Sequence, residues 1–108
     1  VALAAEGVFG LVSVEVVEAR GVLAADTHFA GLGEATSDPY CVVSVGHHQR
    51  LTEKTPRRDN TVDPVWDWKW VTPVKSAAAK ISVNVFDHDA MGDDDPLGRV
   101  SVPLAALS

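Results

Sequence analysis

Five short segments of this chain repeat the same two-residue rhythm. In LVSVEVVEA (11–19), Val12, Val14 and Val16 share one face, and Ser13 and Glu15 the other. In YCVVSV (40–45), Cys41, Val43 and Val45 alternate with Val42 and Ser44. KISVNVF (80–86) sets Ile81, Val83 and Val85 against Ser82 and Asn84, and GRVSVPL (98–104) sets Val100 and Val102 against Arg99 and Ser101. In VWDWKWV (65–71), Trp66, Trp68 and Trp70 fall on one face, opposite Asp67 and Lys69. Side chains two apart share a face only in an extended strand, so the pattern demands strands with one buried face. A sixth, more polar segment, HHQRLTEKT (47–55), reads as an edge strand. Gly, Pro, Asp and Asn separate these segments, and only SAAAK (76–80) could form a helical turn. Six such strands predict an all-β fold, an antiparallel β-sandwich.

The chain has 108 residues. That length suits one domain over 1–108 and allows a core without covalent staples. Cys41 is the one cysteine, so no internal disulfide can form; it reads as a small buried apolar residue in a strand. Trp66 and Trp70 read as core, whereas Trp68 is harder to bury beside them. No apolar run is long enough to span a bilayer. The start, VALAAEG, lacks a basic leader and an initiating methionine, and the expectation is a piece of a longer protein. The formal charge of −6 argues against nucleic acid as the main partner. It also repels anionic membranes, unless the negative charge is neutralised locally.

Two long connections, 23–38 and 87–97, are rich in aspartate. The second carries Asp87, Asp89, Asp93, Asp94 and Asp95 around a turn. Carboxylates this close raise the cost of ionising one another. Such a turn is kept cheaply if it is fully solvated, or if a cation sits inside it. Strand alternation places Asp87 and Asp89 on one side and His88 on the other. Loop-borne, oxygen-only ligands suit calcium, which takes about six to eight oxygens at flexible geometry, better than magnesium. Asp-rich turns are also common simply because Asp favours turns and keeps edges soluble. An EF-hand fails: DHDAMGDDDPLG has Asp87, Asp89 and Gly92 in place, but Met91 at the fifth position and Gly98 where the glutamate belongs.

Four pieces of the sequence, in order, resemble a C2 domain. GLVSVEVVEARGVL (10–23) is similar to that family's opening strand, and SDPYCVV (37–43) to its S-D-P-Y signature. NTVDPVW (60–66) matches its N-x-x-(D/N)-P-x-W signature, and FDHDAMGDDDPLG (86–98) its third loop. DTHFAGLGEATSDPY (26–40) further resembles the first C2 domain of the extended synaptotagmins and tricalbins. The resemblance implies an eight-stranded sandwich binding Ca2+ between loops at one end and docking on phospholipid. Six strands are readable, so two would follow Ser108, unless VALAAEG helps to fill the gap, strands come from elsewhere, or the ordered region ends early.

Carried over residue by residue, the resemblance makes Asp26 and Asp38 first-loop metal ligands and Asp87, Asp89 and Asp95 third-loop ligands. Asp93 and Asp94 could add oxygens but read rather as solvated; His88 would offer at most its carbonyl. Asn60, Asp63 and Pro64 read as structural, and Pro39 and Tyr40 as holding Asp38 in place. Phe29, Leu32 and Met91 are the apolar candidates for membrane contact. Leu32 reads rather as packing beneath its own loop, and Met91, beside Gly92, as a membrane-contacting tip. Arg50, Lys54, Arg57 and Arg58 form a basic segment that could face anionic lipid, although Glu53 and Asp59 dilute it into an ordinary solvated edge.

The expected function is therefore a calcium-dependent module that docks on anionic phospholipid membranes, at the cytosolic face. The alternative is a calcium-independent protein–protein interaction module. Catalysis is not expected. His28, His47, His48 and His88 are scattered, Cys41 lies in a strand, and no nucleophile elbow, phosphate loop or zinc spacing appears.

Overall fold

The computed structural model describes residues 10–22, 37–47 and 50–106 in full, and 2–8 as backbone. Among them are seven strands: β1 (Ala2–Val8), β2 (Leu11–Glu18), β3 (Pro39–Gly46), β4 (Arg50–Lys54), β5 (Val65–Pro73), β6 (Lys80–Asp87) and β7 (Asp95–Pro103). A 3-10 turn over Leu104–Ala106 follows. All pairings are antiparallel. They form one sheet in the order β1-β2-β5 and another in the order β4-β3-β6-β7.

The alternating faces meet as expected. Val12, Val14 and Val16 from one sheet and Cys41, Val43, Val45, Ile81, Val83 and Val85 from the other form one buried cluster with Trp66. Burial pushes the Cys41 thiol up to about 12, so this cysteine stays protonated. Trp68 and Trp70 are both half-buried against that cluster, their rings 6.2 Å apart. Trp70 is thus less enclosed than its spacing suggested. β5 carries one extra residue, since Val16 pairs with Trp68 but Glu18 with Val65. Asp67 lies in that bulge at φ 46°, a left-handed conformation that Asp tolerates better than most residues.

Two segments differ from the sequence reading. Ala2–Val8 is a strand, paired along β2 from Ala2↔Glu18 to Val8↔Leu11, with Gly10 at φ 117° in the connecting turn. Its alanine-rich sequence hides the alternation that marks the other strands. SAAAK is a hydrogen-bonded turn, not a helical one. The Ala79 N–H donates to the Ser76 carbonyl at 3.2 Å, and the Ala78 N–H to Ser76 Oγ at 3.1 Å. Serine offers the backbone a local acceptor in place of a helix.

Every residue of β4 is exposed, which fits a charged edge strand. Just past its end Thr55 is buried, and its Oγ1 accepts the Cys41 N–H at 2.8 Å. Thr55→Val should cost about 1–3 kcal/mol in urea unfolding, because it leaves that buried N–H unpaired. An unchanged midpoint would mean that the Cys41 amide finds another acceptor.

Candidate functional site

The sheet register sets up one end of the sandwich. Pro39 at the start of β3 pairs with Asp87 at the end of β6, and Asp87 pairs with Asp95 at the start of β7. Asp38, Asp87 and Asp95 therefore emerge at the same level of three adjacent strands. Pro39, next to Asp38 in the chain, is fully buried.

Asp38 ties three segments together. Its N–H donates to Asp87 Oδ1 at 2.8 Å, its Oδ1 accepts the Asn60 N–H at 2.8 Å, and its carbonyl accepts the His88 N–H at 3.1 Å. Asn60 sits at φ 55°, where a short polar side chain is tolerated. Asp63 Oδ1 accepts the Gly21 N–H at 2.9 Å, and the buried Pro64 offers its carbonyl to the Ala19 N–H at 3.0 Å. These are the structural roles the sequence suggested. At the base of the first loop, Ser37 Oγ donates to the Val22 carbonyl at 2.7 Å. The Val22 N–H reaches the Val62 carbonyl at 2.9 Å, and the Thr61 N–H the Ser37 carbonyl at 2.8 Å.

The 87–95 turn is held by its own aspartates. Asp89 Oδ1 accepts the Met91 N–H at 2.8 Å, an Asx turn that exposes Met91 almost completely, at 94%. Asp94 is not simply solvated. Its Oδ1 accepts the Asp89 N–H at 2.9 Å and lies 3.5 Å from His88 Nδ1, while its Oδ2 accepts the Tyr40 hydroxyl. The Asp89 N–H, then the Tyr40 hydroxyl and His88, hold the Asp94 carboxyl below the usual range. Burial, reinforced by the Asp94 bond, pushes the Tyr40 phenol up to about 12. Asp93 is exposed.

The described residues bring Asp38, Asp87, Asp89 and Asp95 to one end. Among them, no group of three or more His, Cys, Asp or Glu side chains is gathered so as to hold a metal ion. Asp26, Phe29 and Leu32 lie outside the described residues, as do His28 and His48. The donor chemistry nonetheless fits a hard cation. Asp38, Asp87 and Asp89 each engage one oxygen in the bonds above, and a carboxylate has a second with its own lone pairs.

The basic segment separates into different roles. Arg58 is half-buried and donates from Nε to the Val65 carbonyl at 3.0 Å and from Nη2 to the Trp66 carbonyl at 3.4 Å, which pins the chain before β5. Arg57 pairs with Asp59 at 2.5 Å. Arg50 and Lys54 remain exposed on β4. Register adds two cations that the sequence reading missed. Arg50 and Lys80 both pair with Gly46, while Lys54 and Asn84 both pair with Val42, and Asn84 pairs with Arg99. Paired residues share a face, so Arg50, Lys54, Lys80 and Arg99 line one outer face of the four-stranded sheet. Strand alternation alone could have flagged Lys80 and Arg99, but only the pairing shows that they join β4. Lys54 Nζ lies 5.9 Å from the Tyr40 ring centroid, and that ring stacks on Phe86 at 5.7 Å.

Two antiparallel sheets around one buried core, with Asp38, Asp87 and Asp95 at one end, define a β-sandwich with an acidic end. The family model described as C2 domain matches residues 10–108, and the chain belongs to this family. The rat "Multiple C2 and transmembrane domain-containing protein 1" is 32% identical over 98 residues, which span 91% of this chain but only 9% of that protein. Among solved structures, the C2A domain of plant Extended Synaptotagmin 1 superposes with a TM-score of 0.74 at 21% identity, covering 90% of this chain and 70% of that one. The C2A and C2B domains of Extended-Synaptotagmin 2, solved with calcium bound, give a TM-score of 0.74 at 25% identity, covering 91% and 35%. β1 lies outside the family match. No helix among the described residues is long and apolar enough to cross a membrane.

Proposed function

We propose that this domain binds Ca2+ between its two Asp-rich loops and thereby docks on anionic phospholipid, at the cytosolic face of a membrane. The observation that carries the reading is the register that sets Asp38, Asp87 and Asp95 at one level, within a family of which one similar structure holds calcium. Asp26 and Asp38 supply the first loop's oxygens, and Asp87, Asp89 and Asp95 the third loop's. Bound calcium supplies positive charge and an open coordination position for a lipid phosphate oxygen. The five aspartates carry a charge of about −5, so two ions leave about −1 and three about +1. The loop end then tolerates or attracts the surface it had repelled.

The Met91 side chain enters the lipid from its exposed tip, with about 1.5–3 kcal/mol to gain from full burial. Phe29 is its counterpart on the first loop. Arg50 and Lys54, with Lys80 and Arg99, offer a second anionic-lipid contact on the sheet face.

The test is calorimetric titration of calcium into the folded chain, without and then with anionic vesicles. Binding that tightens with vesicles is the expected result, because a lipid phosphate that completes the ion's coordination and the ion itself each raise the other's affinity equally. A folded chain that binds calcium in neither condition overturns the reading. It would favour a calcium-independent protein-interaction module, which one observation supports: the loops are already tied by their own hydrogen bonds.

A further inference from the structure

Asp94 holds an unusual position among the turn's acids. One oxygen faces the turn, where it accepts the Asp89 N–H, and the other reaches across to the Tyr40 hydroxyl on β3. Tyr40 is fixed independently of the turn, by its stack on Phe86 and by Lys54 over its ring. The tie therefore runs from a rigid strand, through a carboxylate, to the backbone of Asp89. Asp89 in turn caps Met91. The turn side of this relay carries two groups the proposed docking depends on: the Asp89 carboxylate and the apolar tip at Met91.

We propose that Asp94 and Tyr40 are positioning residues, which hold the 88–94 turn in its calcium-ready shape and stand outside the metal's ligand set. The inference rests on the calcium reading above. Two carboxylate oxygens committed to protein donors are poorly placed to coordinate as well, and a turn ordered beforehand spares the ion the entropy of ordering it. Asparagine can keep both bonds, since its amide oxygen accepts from Asp89 and its NH2 donates to the Tyr40 oxygen. Alanine keeps neither.

The test combines calcium calorimetry with hydrogen exchange at the Asp89 amide in calcium-free protein, on Asp94→Asn, Asp94→Ala, Tyr40→Phe and the double variant Tyr40→Phe/Asp94→Ala. Asp94→Ala should weaken calcium roughly tenfold and Tyr40→Phe roughly threefold to tenfold. Asp94→Asn should lose clearly less than Asp94→Ala, since it keeps both bonds and gives up only a charge that does not touch the ion. The double variant should match Asp94→Ala, because both changes cut one tie. The Asp89 amide should exchange faster in Asp94→Ala and at the original rate in Asp94→Asn. If Asp94 were a ligand, Asp94→Asn would fall as far as Asp94→Ala and Tyr40→Phe would have little effect; that pattern overturns the proposal. Equal Asp89 exchange in the unmodified chain and Asp94→Ala overturns the tie itself. Failure of the folded, unmodified chain to bind calcium overturns the calcium role, and the exchange rates then still report whether the tie exists.

Discussion

Asp87→Asn is expected to weaken calcium binding at least about a hundredfold, or about 2.7 kcal/mol, while the calcium-free protein melts at nearly its original temperature. The two outcomes separate because the side chain has two roles. As a structural group, Asp87 accepts the Asp38 N–H at 2.8 Å, and an asparagine oxygen can accept the same bond. As a charged group, it stands between Asp38 and Asp95 in the register, so in the proposed calcium role its negative charge attracts the ion and repels its neighbours without one. Removing the charge thus removes attraction for the ion and also some repulsion in its absence. Calorimetry with a parallel thermal melt checks both halves. Unchanged affinity would take Asp87 out of the site.

A comparably large effect is expected in the core. Trp66→Ala should lose about 3–5 kcal/mol in urea unfolding, a large share of the total stability of a small domain. Trp66 is 3% exposed and is the only indole of the three that is fully enclosed. Its Nε1–H has no hydrogen-bond partner among the described residues. An unpaired buried donor costs about 1–3 kcal/mol, and Trp66→Phe removes that donor along with the pyrrole half of the ring. Phenylalanine should therefore cost much less than alanine, about 1–2 kcal/mol. Equal losses in the two variants would mean that the indole N–H is satisfied in solution.

The strands were legible where burial on one face wrote itself into alternation. Val12, Val14 and Val16, or Ile81, Val83 and Val85, can occupy one face only if the backbone is extended. β1 was not legible as a strand because ALAAEGV has small residues on both faces, and its pairing with β2 is a property of the sheet. The acids of the candidate site were visible as residues, yet their division of labour was not. Nothing in the spacing of DDD says that Asp94 turns back to Tyr40, because that contact crosses from β7's approach to β3. Arg58 likewise looked like its neighbours Arg57 and Lys54, and only its bonds to the Val65 and Trp66 carbonyls set it apart.

The bond from Ser37 to the Val22 carbonyl bears on how such a domain can diversify. Val22 and Ser37 are clasped to each other and to 61–62. Whatever lies between them is a closed insert, and doubling its length should cost the fold only about 0.6 kcal/mol in closure entropy. The clasp holds the two ends of this connection in place whatever its length, while Asp87 and Asp95 stay fixed by their strands and Asp38 by the start of β3.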